Sequence, residues 1–310
     1  MEVSTRRGPL ARALRRFLAG STGILGAAVL IVPGSSWAQA ETEGADDAAQ
    51  VEQIAAGDYD YNDDGRDDIV ARRNSTGNLE IWPGNGAFGF GTKYSAGGGW
   101  NSMNLIETAG DLNQDGHADL IAREASTGIL WYYRGNGTTF SPRQSIGSGW
   151  QVMSAIVAGH DYNGDEFDDI IATELGTGTL WLYPGTGMGP AFGQRFAIGS
   201  SFHLVEDLTA VGDTNEDGRA DIVGVSTSNQ CMYFYAGPGS EGFKPKVLMD
   251  CGWDVMEMAA AVGNFDSDGH ADWVGREADT GLLYLFRGSG TGGISSSPVI
   301  DSGWGSMTIA

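Results

Sequence analysis

The stretch GDLNQDGHADLIAR, residues Gly110 to Arg123, decides the fold. Its oxygen-bearing side chains are Asp111, Asn113, Asp115 and Asp119. The alternate spacing of the first three directs them toward one point, Gly116 permits a sharp bend, and the backbone carbonyl of His117 can fill the gap before the last carboxylate. Two apolar residues follow at once, so the loop is expected to enter a buried strand and not a helix. The stretch therefore predicts a cage for a hard cation, followed by a β-strand.

The same pattern occurs five times, at intervals of about 51 residues, which is typical of a repeat protein. The predicted metal ligands are Asp60, Asn62, Asp64, Arg66 and Asp68; Asp111, Asn113, Asp115, His117 and Asp119; Asp161, Asn163, Asp165 and Asp169; Asp213, Asn215, Asp217, Arg219 and Asp221; and Asn264, Asp266, Asp268, His270 and Asp272. The arginines and histidines are included for their backbone carbonyls. We call these segments loops 1 to 5.

The donor set of the loops favours Ca²⁺. Hard oxygen ligands without Cys or an assembled His cluster suit this ion and argue against Zn²⁺ or copper. The third loop has Glu166 where the others have Gly, and we expect its site to be the weakest or empty. The alternative is that Asp, Asn and Gly here only form turns. Five copies in one phase favour the metal interpretation.

Each repeat reads as four short strands joined by tight turns. An apolar segment precedes each loop, a second strand follows it, a Thr-Gly turn comes next in most repeats, and the fourth strand ends at Gly-Trp or, in one repeat, at Phe202. Third strands such as Leu130 to Tyr133 are apolar on both faces, so their sheets must be covered on both sides. The sequence predicts an all-β propeller of five four-stranded blades over residues 51–310. Either Val51 to Ala56 or Met307 to Ala310 closes the ring.

Residues 1–40 combine five arginines, a largely apolar run and a final Ala-Gln-Ala, and we interpret them as a secretory signal peptide. The alternative, a membrane anchor, is disfavoured because the run is short and interrupted. The two Arg pairs leave both Sec and twin-arginine export open. Residues 41–50 are interpreted as a flexible acidic leader.

The remaining chain is strongly acidic. Without residues 1–40 it has 13 basic and 39 acidic residues, a formal charge of −26. Nucleic acids and anionic membranes require a cationic surface, so neither is an expected partner. Membrane insertion after signal cleavage is not expected either.

The five loops give the chain a family resemblance. Their pattern, Gly-Asp-x-Asn-x-Asp-Gly-x-x-Asp, resembles that of secreted bacterial proteins with FG-GAP or VCBS-type repeats, blades that are also found in integrin alpha chains and some fungal lectins. The resemblance implies a β-propeller with Ca²⁺ in each loop, and a role in adhesion, glycan binding or assistance to hydrolases. The Gly-Ala-Pro part of the signature is missing after Phe88-Gly89, and integrin-type propellers have seven blades.

Two sets of residues are candidates for ligand binding, and both recur from repeat to repeat. The Gly-Trp positions are Trp100, Trp150, Trp253 and Trp304, whose rings either stack on sugars or pack between blades. The basic positions are Arg72, Arg123 and Arg276, which either donate hydrogen bonds to hydroxyl groups or form ion pairs with Glu124 or Glu277. The third-strand aromatics, such as Trp131, are expected to pack between blades.

Little in the sequence predicts catalysis. The four His residues have no metal or triad spacing. The carboxylates left outside the loops, Glu124, Glu174 and Glu277, occupy matching positions on different blades, which does not favour a glycosidase pair. Cys231 and Cys251, the only cysteines, are expected to form a disulfide across a hairpin in an exported protein, the alternative being two free buried thiols. We therefore expect a secreted, non-catalytic, calcium-binding module for glycans or cell-surface proteins, with a secreted hydrolase or hydrolase-accessory protein as the alternative.

Overall fold

The computed structural model of the chain describes residues 59–238 and 242–310. The predicted signal peptide, the acidic leader and the predicted strand Val51 to Ala56 lie outside the described residues. The described residues belong to one compact unit, and none of their helices is long and apolar enough to cross a membrane.

Five antiparallel sheets make up the structure, and each sheet is one blade. Blade 1 contains β21 (Met307–Ile309), β1 (Ile69–Arg73), β2 (Asn78–Trp82) and β3 (Tyr94–Gly97). Blade 2 contains β4 (Met103–Thr108), β5 (Leu120–Glu124), β6 (Leu130–Tyr133) and β7 (Gln144–Gly147). Blade 3 contains β8 (Met153–His160), β9 (Asp169–Glu174), β10 (Leu180–Tyr183) and β11 (Phe196–Gly199). Blade 4 contains β12 (Val205–Gly212), β13 (Asp221–Ser226), β14 (Cys231–Tyr235) and β15 (Val247–Cys251). Blade 5 contains β16 (Met256–Gly263), β17 (Asp272–Glu277), β18 (Leu283–Gly288), β19 (Ile294–Ser296) and β20 (Val299–Asp301), the last two both paired with β18.

The blades stack face to face around a ring, as predicted. Their innermost strands contact one another in the order β4, β8, β12, β16 and β21. In β6, Leu130 and Tyr132 are fully buried, while Trp131 and Tyr133 are partly buried on the other face. The apolar clusters combine residues of neighbouring blades, for example Ile81 of blade 1 with Leu120 of blade 2. Both faces of a sheet are thus covered by the adjacent blades, which explains why the third strands are apolar on both sides.

A short 3-10 turn leads into each blade, and we call these the Gly-Trp turns. They span Trp100–Ser102, Trp150–Val152, Phe202–Leu204, Trp253–Val255 and Trp304–Ser306. The first N–H of each turn donates to a carbonyl of the preceding blade, as Trp100 does to Gly77 at 3.0 Å. The preceding residue is left-handed in all five turns, with φ +94° at Gly99, which is a conformation that favours glycine. We call the contact between one blade and the next a junction.

The C-terminal strand closes the ring. β21 pairs antiparallel with β1, with Ile309 opposite Ala71 and Met307 opposite Arg73. The N–H of Ala310 extends the pairing by donating to Val70 at 2.9 Å. Of the two predicted ways to close the ring, Met307 to Ala310 is the one that the structure contains. The ring is therefore held shut by hydrogen bonds and packing, because the chain does not run from blade 5 into β1.

The predicted disulfide is present. Cys231 and Cys251 lie directly opposite each other on β14 and β15, with Cα atoms 3.9 Å apart, and their sulfur atoms are bonded. The sequence placed both residues correctly on the third and fourth strands of their repeat. The disulfide thus fastens the outer hairpin of blade 4 covalently.

Candidate cation loops and an inter-blade cleft

All five predicted loops connect to the second strand of a blade, so they lie on the same face of the propeller. The last carboxylate of each loop is buried and accepts a backbone N–H from a glycine at the end of the third strand, at 2.7 to 3.0 Å. These residues are Asp68, Asp119, Asp169, Asp221 and Asp272, none more than 1% exposed. Each of these predicted ligands is therefore anchored by a backbone hydrogen bond.

Burial alters the acidity of these last carboxylates. It raises the pKa of Asp68 to about 8 and that of Asp119 to about 7, and the other carboxylates of the same loop raise both further. The glycine N–H bonds act in the opposite direction but are weaker. The pKa values of Asp169, Asp221 and Asp272 are likewise raised to about 7 by burial. Several carboxylates held together away from water are the arrangement that a bound cation would stabilise.

The first side chain of each loop folds the loop around itself. Asp111 accepts N–H bonds from Asp115 at 3.0 Å and Gly116 at 2.7 Å. The equivalent contacts recur at Asp60, Asp161 and Asp213, and Asn264 accepts one N–H. Backbone donors therefore orient the first predicted ligand of each loop.

Glu166, on which the expectation of a weaker site in loop 3 rests, does not make the backbone of this loop an exception. Every loop has two left-handed residues, one a glycine and one not: in loop 2 these are Gln114 (φ +55°) and Gly116 (φ +88°). Loop 3 exchanges the two, with Gly164 at φ +84° and Glu166 at φ +71°. Each loop thus has one non-glycine residue in the left-handed conformation. A weaker third site stays a prediction, but backbone strain does not single it out.

The residues fit a divalent cation. In loop 4, Oδ1 of Asn215 is buried and has no hydrogen-bond partner, which leaves a polar atom available in the predicted ligand set. In loop 5, carboxylate oxygens of Asp266, Asp268 and Asp272 lie within 4.8 Å of one another. Oxygen donors without thiolates suit Ca²⁺. A bound Ca²⁺ would be held by these side chains and would neutralise their mutual repulsion.

Neighbouring loops also contact each other through the side chains of His117 and His270, two residues that were predicted to contribute only their backbone carbonyls. Nδ1 of His117 in loop 2 lies 3.1 Å from a carboxylate oxygen of Asp63 in loop 1, and the hydrogen bond raises the pKa of this imidazole. His270 and Glu216 repeat the contact between loops 5 and 4 at 3.0 Å. The side chains at the seventh loop position therefore link neighbouring loops. This contact uses only the side chain, so it does not compete with the predicted role of the same residue's backbone carbonyl as a metal ligand.

The predicted Gly-Trp aromatics are part of the core. Trp100, Trp150, Trp253 and Trp304 are only 1 to 7% exposed. Their rings stack on third-strand aromatics of the blade that they precede, with centroids 4.5 to 4.9 Å apart, and Phe202 does the same with Tyr235 at 5.3 Å. The expectation of exposed sugar-stacking rings is therefore corrected in favour of the packing alternative, because the ring faces are already occupied.

The predicted basic positions also have a structural role. Arg72 donates from Nη1 to the carbonyls of Trp100 (3.1 Å) and Met103 (2.7 Å) in the next blade. Arg123 repeats this pair of bonds between blades 2 and 3, and Arg276 repeats it between blades 5 and 1. The predicted alternative, an ion pair with Glu124 or Glu277, is wrong, because neither glutamate pairs with these arginines. Arg276 pairs with Glu257. We call these three side chains the arginine pegs.

Sequence reasoning missed a second recurrent group on the outer part of the blades. A basic side chain from the start of the fourth strand lies over a third-strand ring: Lys93 over Trp82, Arg143 over Trp131, Arg195 over Trp181 and Lys246 over Tyr233, at 4.0 to 4.2 Å. Glu124 pairs with Arg143, and Glu174 with Arg195. The sequence carried this signal in blades 2 to 4, where the basic residue stands two positions before the residue that pairs with the aromatic.

A cleft of about 390 Å³ opens between blades 1 and 2 beside one of these groups. It is lined by residues 96–99 of one blade and by Tyr133, Phe140 and Arg143 of the other, together with Trp100. Aromatic surface, backbone amides and a guanidinium thus meet in one concave site. Of the predicted ligand-binding residues, the structure places Trp100 at this cleft.

The fold and the five loops define the chain as a five-bladed propeller with recurrent acidic loops. A family model described as "FG-GAP-like repeat" matches residues 60–122, 111–172 and 161–224, which together exceed half of the chain. This protein belongs to the family of FG-GAP-like repeat proteins. The resemblance predicted from the loop pattern is therefore confirmed.

Two solved structures are similar to this chain. One is a lectin from Agrocybe aegerita that recognises non-reducing terminal N-acetylglucosamine, with 19% identity, a TM-score of 0.46 and coverage of 81% of this chain and 69% of that one. The other is the Dos1 propeller, with 12% identity, a TM-score of 0.35 and coverage of 71% and 53%. No curated protein matches the sequence.

Proposed function

We propose that this protein is a secreted, calcium-stabilised binding module whose ligand is a glycan of a cell surface or matrix. The observation that carries the proposal is the cleft between blades 1 and 2. Sugars combine apolar ring faces with many hydroxyl groups, so their sites combine aromatic surface with fixed polar donors. Tyr133, Phe140 and Arg143 supply that combination.

Arg143 is oriented before any ligand arrives. Its guanidinium stacks over Trp131 at 4.0 Å and lies 3.3 Å from a carboxylate oxygen of Glu124. Both contacts leave the side chain 39% exposed. A pre-oriented guanidinium loses less conformational entropy when it binds hydroxyl or carboxylate oxygens. This favours neutral or acidic sugars over cationic ones.

Calcium has a structural role in the proposal. Binding to the folded state alone stabilises that state by about 1.4 kcal/mol per site at a tenfold excess of free ion over Kd. Export brings the protein into a calcium-rich environment, and the disulfide between Cys231 and Cys251 supports export, since such bonds persist in oxidising compartments. The expected secretory signal in residues 1–40 supports it further.

A glycan array run with and without Ca²⁺ tests the binding proposal. Arg143→Ala is expected to weaken binding about tenfold, since one charge-assisted hydrogen bond contributes about 1.5 kcal/mol or more. Arg195→Ala, at the same position of blade 3, is the matched control and should leave binding at this cleft unchanged. Failure of the wild type to retain any glycan contradicts the proposal, and release of sugar from a bound glycan would replace it with a hydrolase.

The calcium part has its own test. Chelation with EDTA is expected to lower the melting temperature by many degrees, and elemental analysis of the untreated protein should find Ca²⁺. An unchanged melting curve together with no bound metal would refute structural calcium while leaving the glycan proposal open to its own measurement.

A further inference from the structure

The five loops differ at one position that contacts the loop from outside. It is the residue just before the glycine whose N–H binds the last carboxylate. Loops 2 and 5 have Arg134 and Arg287 there, whereas loops 1 and 3 have Pro83 and Pro184 and loop 4 has Ala236. Two of the loops thus have a built-in cation next to their carboxylates, and the other three have a residue that cannot provide one.

Arg287 makes the more extensive contact. Its Nε donates to Asp266 and its Nη2 donates to Asp268 at 2.7 Å. These are two of the three carboxylates whose oxygens lie within 4.8 Å of one another. The side chain of Asp266 is only 2% exposed and that of Arg287 26% exposed. The guanidinium therefore occupies oxygens that a divalent cation in loop 5 would use.

Arg134 makes the smaller contact in loop 2. Its Nε donates to Asp115, the third predicted ligand, and its side chain is 53% exposed. In loop 4, Lys244 reaches Asp217 at 2.7 Å from a different position of the blade, and it is 54% exposed. These contacts involve one carboxylate each and are open to water, so they should be weaker.

A guanidinium and a Ca²⁺ ion compete for the same carboxylate oxygens, because two cations held that close repel each other. To bind the metal, loop 5 must first release two charge-assisted hydrogen bonds, and loop 2 must release one. Loops 1 and 3 have no such bond from this position to break. The free energy of that release is subtracted from the metal affinity, while the same bonds hold the loop closed when metal is scarce.

We propose that Arg287 and Arg134 are internal counter-ions that compete with divalent cations for loops 5 and 2. The proposal rests on the calcium binding proposed above. Loop 1 fills at lower Ca²⁺ concentration and opens when Ca²⁺ is removed. Loop 5, and to a smaller extent loop 2, fill later and stay folded without the ion.

Calorimetric titration of the chelator-treated full chain with Ca²⁺ tests the competition. Arg287→Gln is expected to tighten one site about tenfold and Arg134→Gln to tighten one site about threefold, in line with the release of two partly buried and one exposed charge-assisted bond. Arg195→Gln removes the same charge from an ion pair outside the loops and is the matched control for net charge. It should change affinity by less than about twofold.

Hydrogen exchange gives a second readout that locates the effect. In the wild type, chelation should accelerate exchange of the Gly65 N–H, which donates to Asp60, far more than that of the Gly269 N–H, which donates to Asn264. In Arg287→Gln, chelation should accelerate both equally. Arg287→Lys, which keeps the charge but not the two-pronged donor, should fall between the two and serves if the glutamine variant is unfolded.

The outcomes separate this proposal from the calcium proposal. If the wild type binds Ca²⁺ and all three variants bind it equally, calcium stands and competition is refuted. Equal tightening by Arg195→Gln, or weaker binding in Arg287→Gln, refutes it as well. If Arg287→Gln and Arg134→Gln bind Ca²⁺ while the wild type and Arg195→Gln do not, competition is supported in its strongest form. If no form binds Ca²⁺ in the titration, both proposals fall.

Discussion

The junction from blade 5 to blade 1 and the junction from blade 3 to blade 4 are fastened in different ways. At the first, the closing junction, the Arg276 peg binds two carbonyls of the next blade, and on the loop face Asp67 accepts the N–H of Asn264 at 2.6 Å. At the second, the bare junction, the corresponding residues are Thr173 and Ala220. Apolar packing around Phe202, Leu180 and Ile222 holds it.

Chain connectivity does not account for the difference, because the chain passes through a Gly-Trp turn into the next blade at both junctions. At the bare junction the chain itself runs from β11 through the Gly-Trp turn into β12, so the two blades cannot separate far. At the closing junction the chain likewise runs from β20 through Trp304–Ser306 into β21, and hydrogen bonds and packing join β21 to β1 within blade 1. Arginine pegs also occur at the junctions from blade 1 to blade 2 and from blade 2 to blade 3, so the bare junction differs in its residues and not in its covalent continuity. Blade 4 has no arginine peg on either side, because Thr173 occupies the peg position of blade 3 and Val225 that of blade 4. It contains the disulfide instead.

Removing the closing peg should have the largest effect. Arg276→Ala leaves two carbonyls and the Glu257 carboxylate without their donor in a site where the arginine side chain is 4% exposed, and we expect a loss of about 3 to 5 kcal/mol. Thr173→Ala at the bare junction is the matched control, with an expected loss of about 1 kcal/mol. Urea unfolding measures both, and equal losses would contradict the distinction between the two junctions.

The disulfide should rank second. Its two cysteines are 20 residues apart, and a cross-link closing a loop of that length stabilises by about 3 kcal/mol through the unfolded state. We expect Cys231→Ala/Cys251→Ala to lose that amount and to show faster hydrogen exchange in β14 and β15 before global unfolding. Reduction of the wild type is the control and should reproduce the result. Exchange that rises equally in all blades would show that the bond has no special role in blade 4.

The loop-face contact of the closing junction should have a smaller effect. Asp67→Ala leaves the N–H of Asn264 without an acceptor, and the expected loss is about 1 to 2 kcal/mol. Asp168 accepts the N–H of Asp111 at 2.9 Å at the junction from blade 2 to blade 3, so Asp168→Ala should give a similar loss in thermal unfolding. If Asp67→Ala alone is neutral, the closing junction depends on its arginine only.

The smallest expected effect concerns Glu107 on β4, which lies where blades 3 and 4 have Val157 and Thr209. Burial raises the pKa of Glu107 from its ordinary 4.5 to about 8. The folded state then retains this proton longer than the unfolded state, so stability falls as pH rises from about 5 to 8. Because the side chain is only half-buried, we expect a loss of about 1 kcal/mol.

Glu107→Gln isolates this contribution from the loop carboxylates, which also titrate in this range. The free energy of unfolding, measured from pH 5 to pH 9, should decline less in the variant than in the wild type. Parallel curves would mean that the carboxylate reaches water in the folded state.

Much of the fold was predictable because it is written in periodic, local patterns. The spacing of loops, strands and turns gave five blades, and the hairpin position of Cys231 and Cys251 gave their disulfide. The loops were predictable because their oxygen-bearing residues are close in sequence. The cleft was not, since Tyr133 and Arg143 meet residues 96–99 only where two repeats pack together. The roles of Trp100 and Arg72 were not predictable either, because repetition shows that a residue matters to each blade but not which surface it faces.

The sequence by itself determined the repeat, the strand order within each blade and the acidic loops, because these depend on residues within one repeat of about 51 positions. The tertiary structure alone decided which strand closes the ring and where the arginine pegs donate. It also decided that Arg287 lies against Asp266 and Asp268 while Pro83 leaves loop 1 without such a contact. These features depend on contacts between blades or between strands far apart in the chain, and their geometry is fixed only when the sheets twist and pack around a common axis.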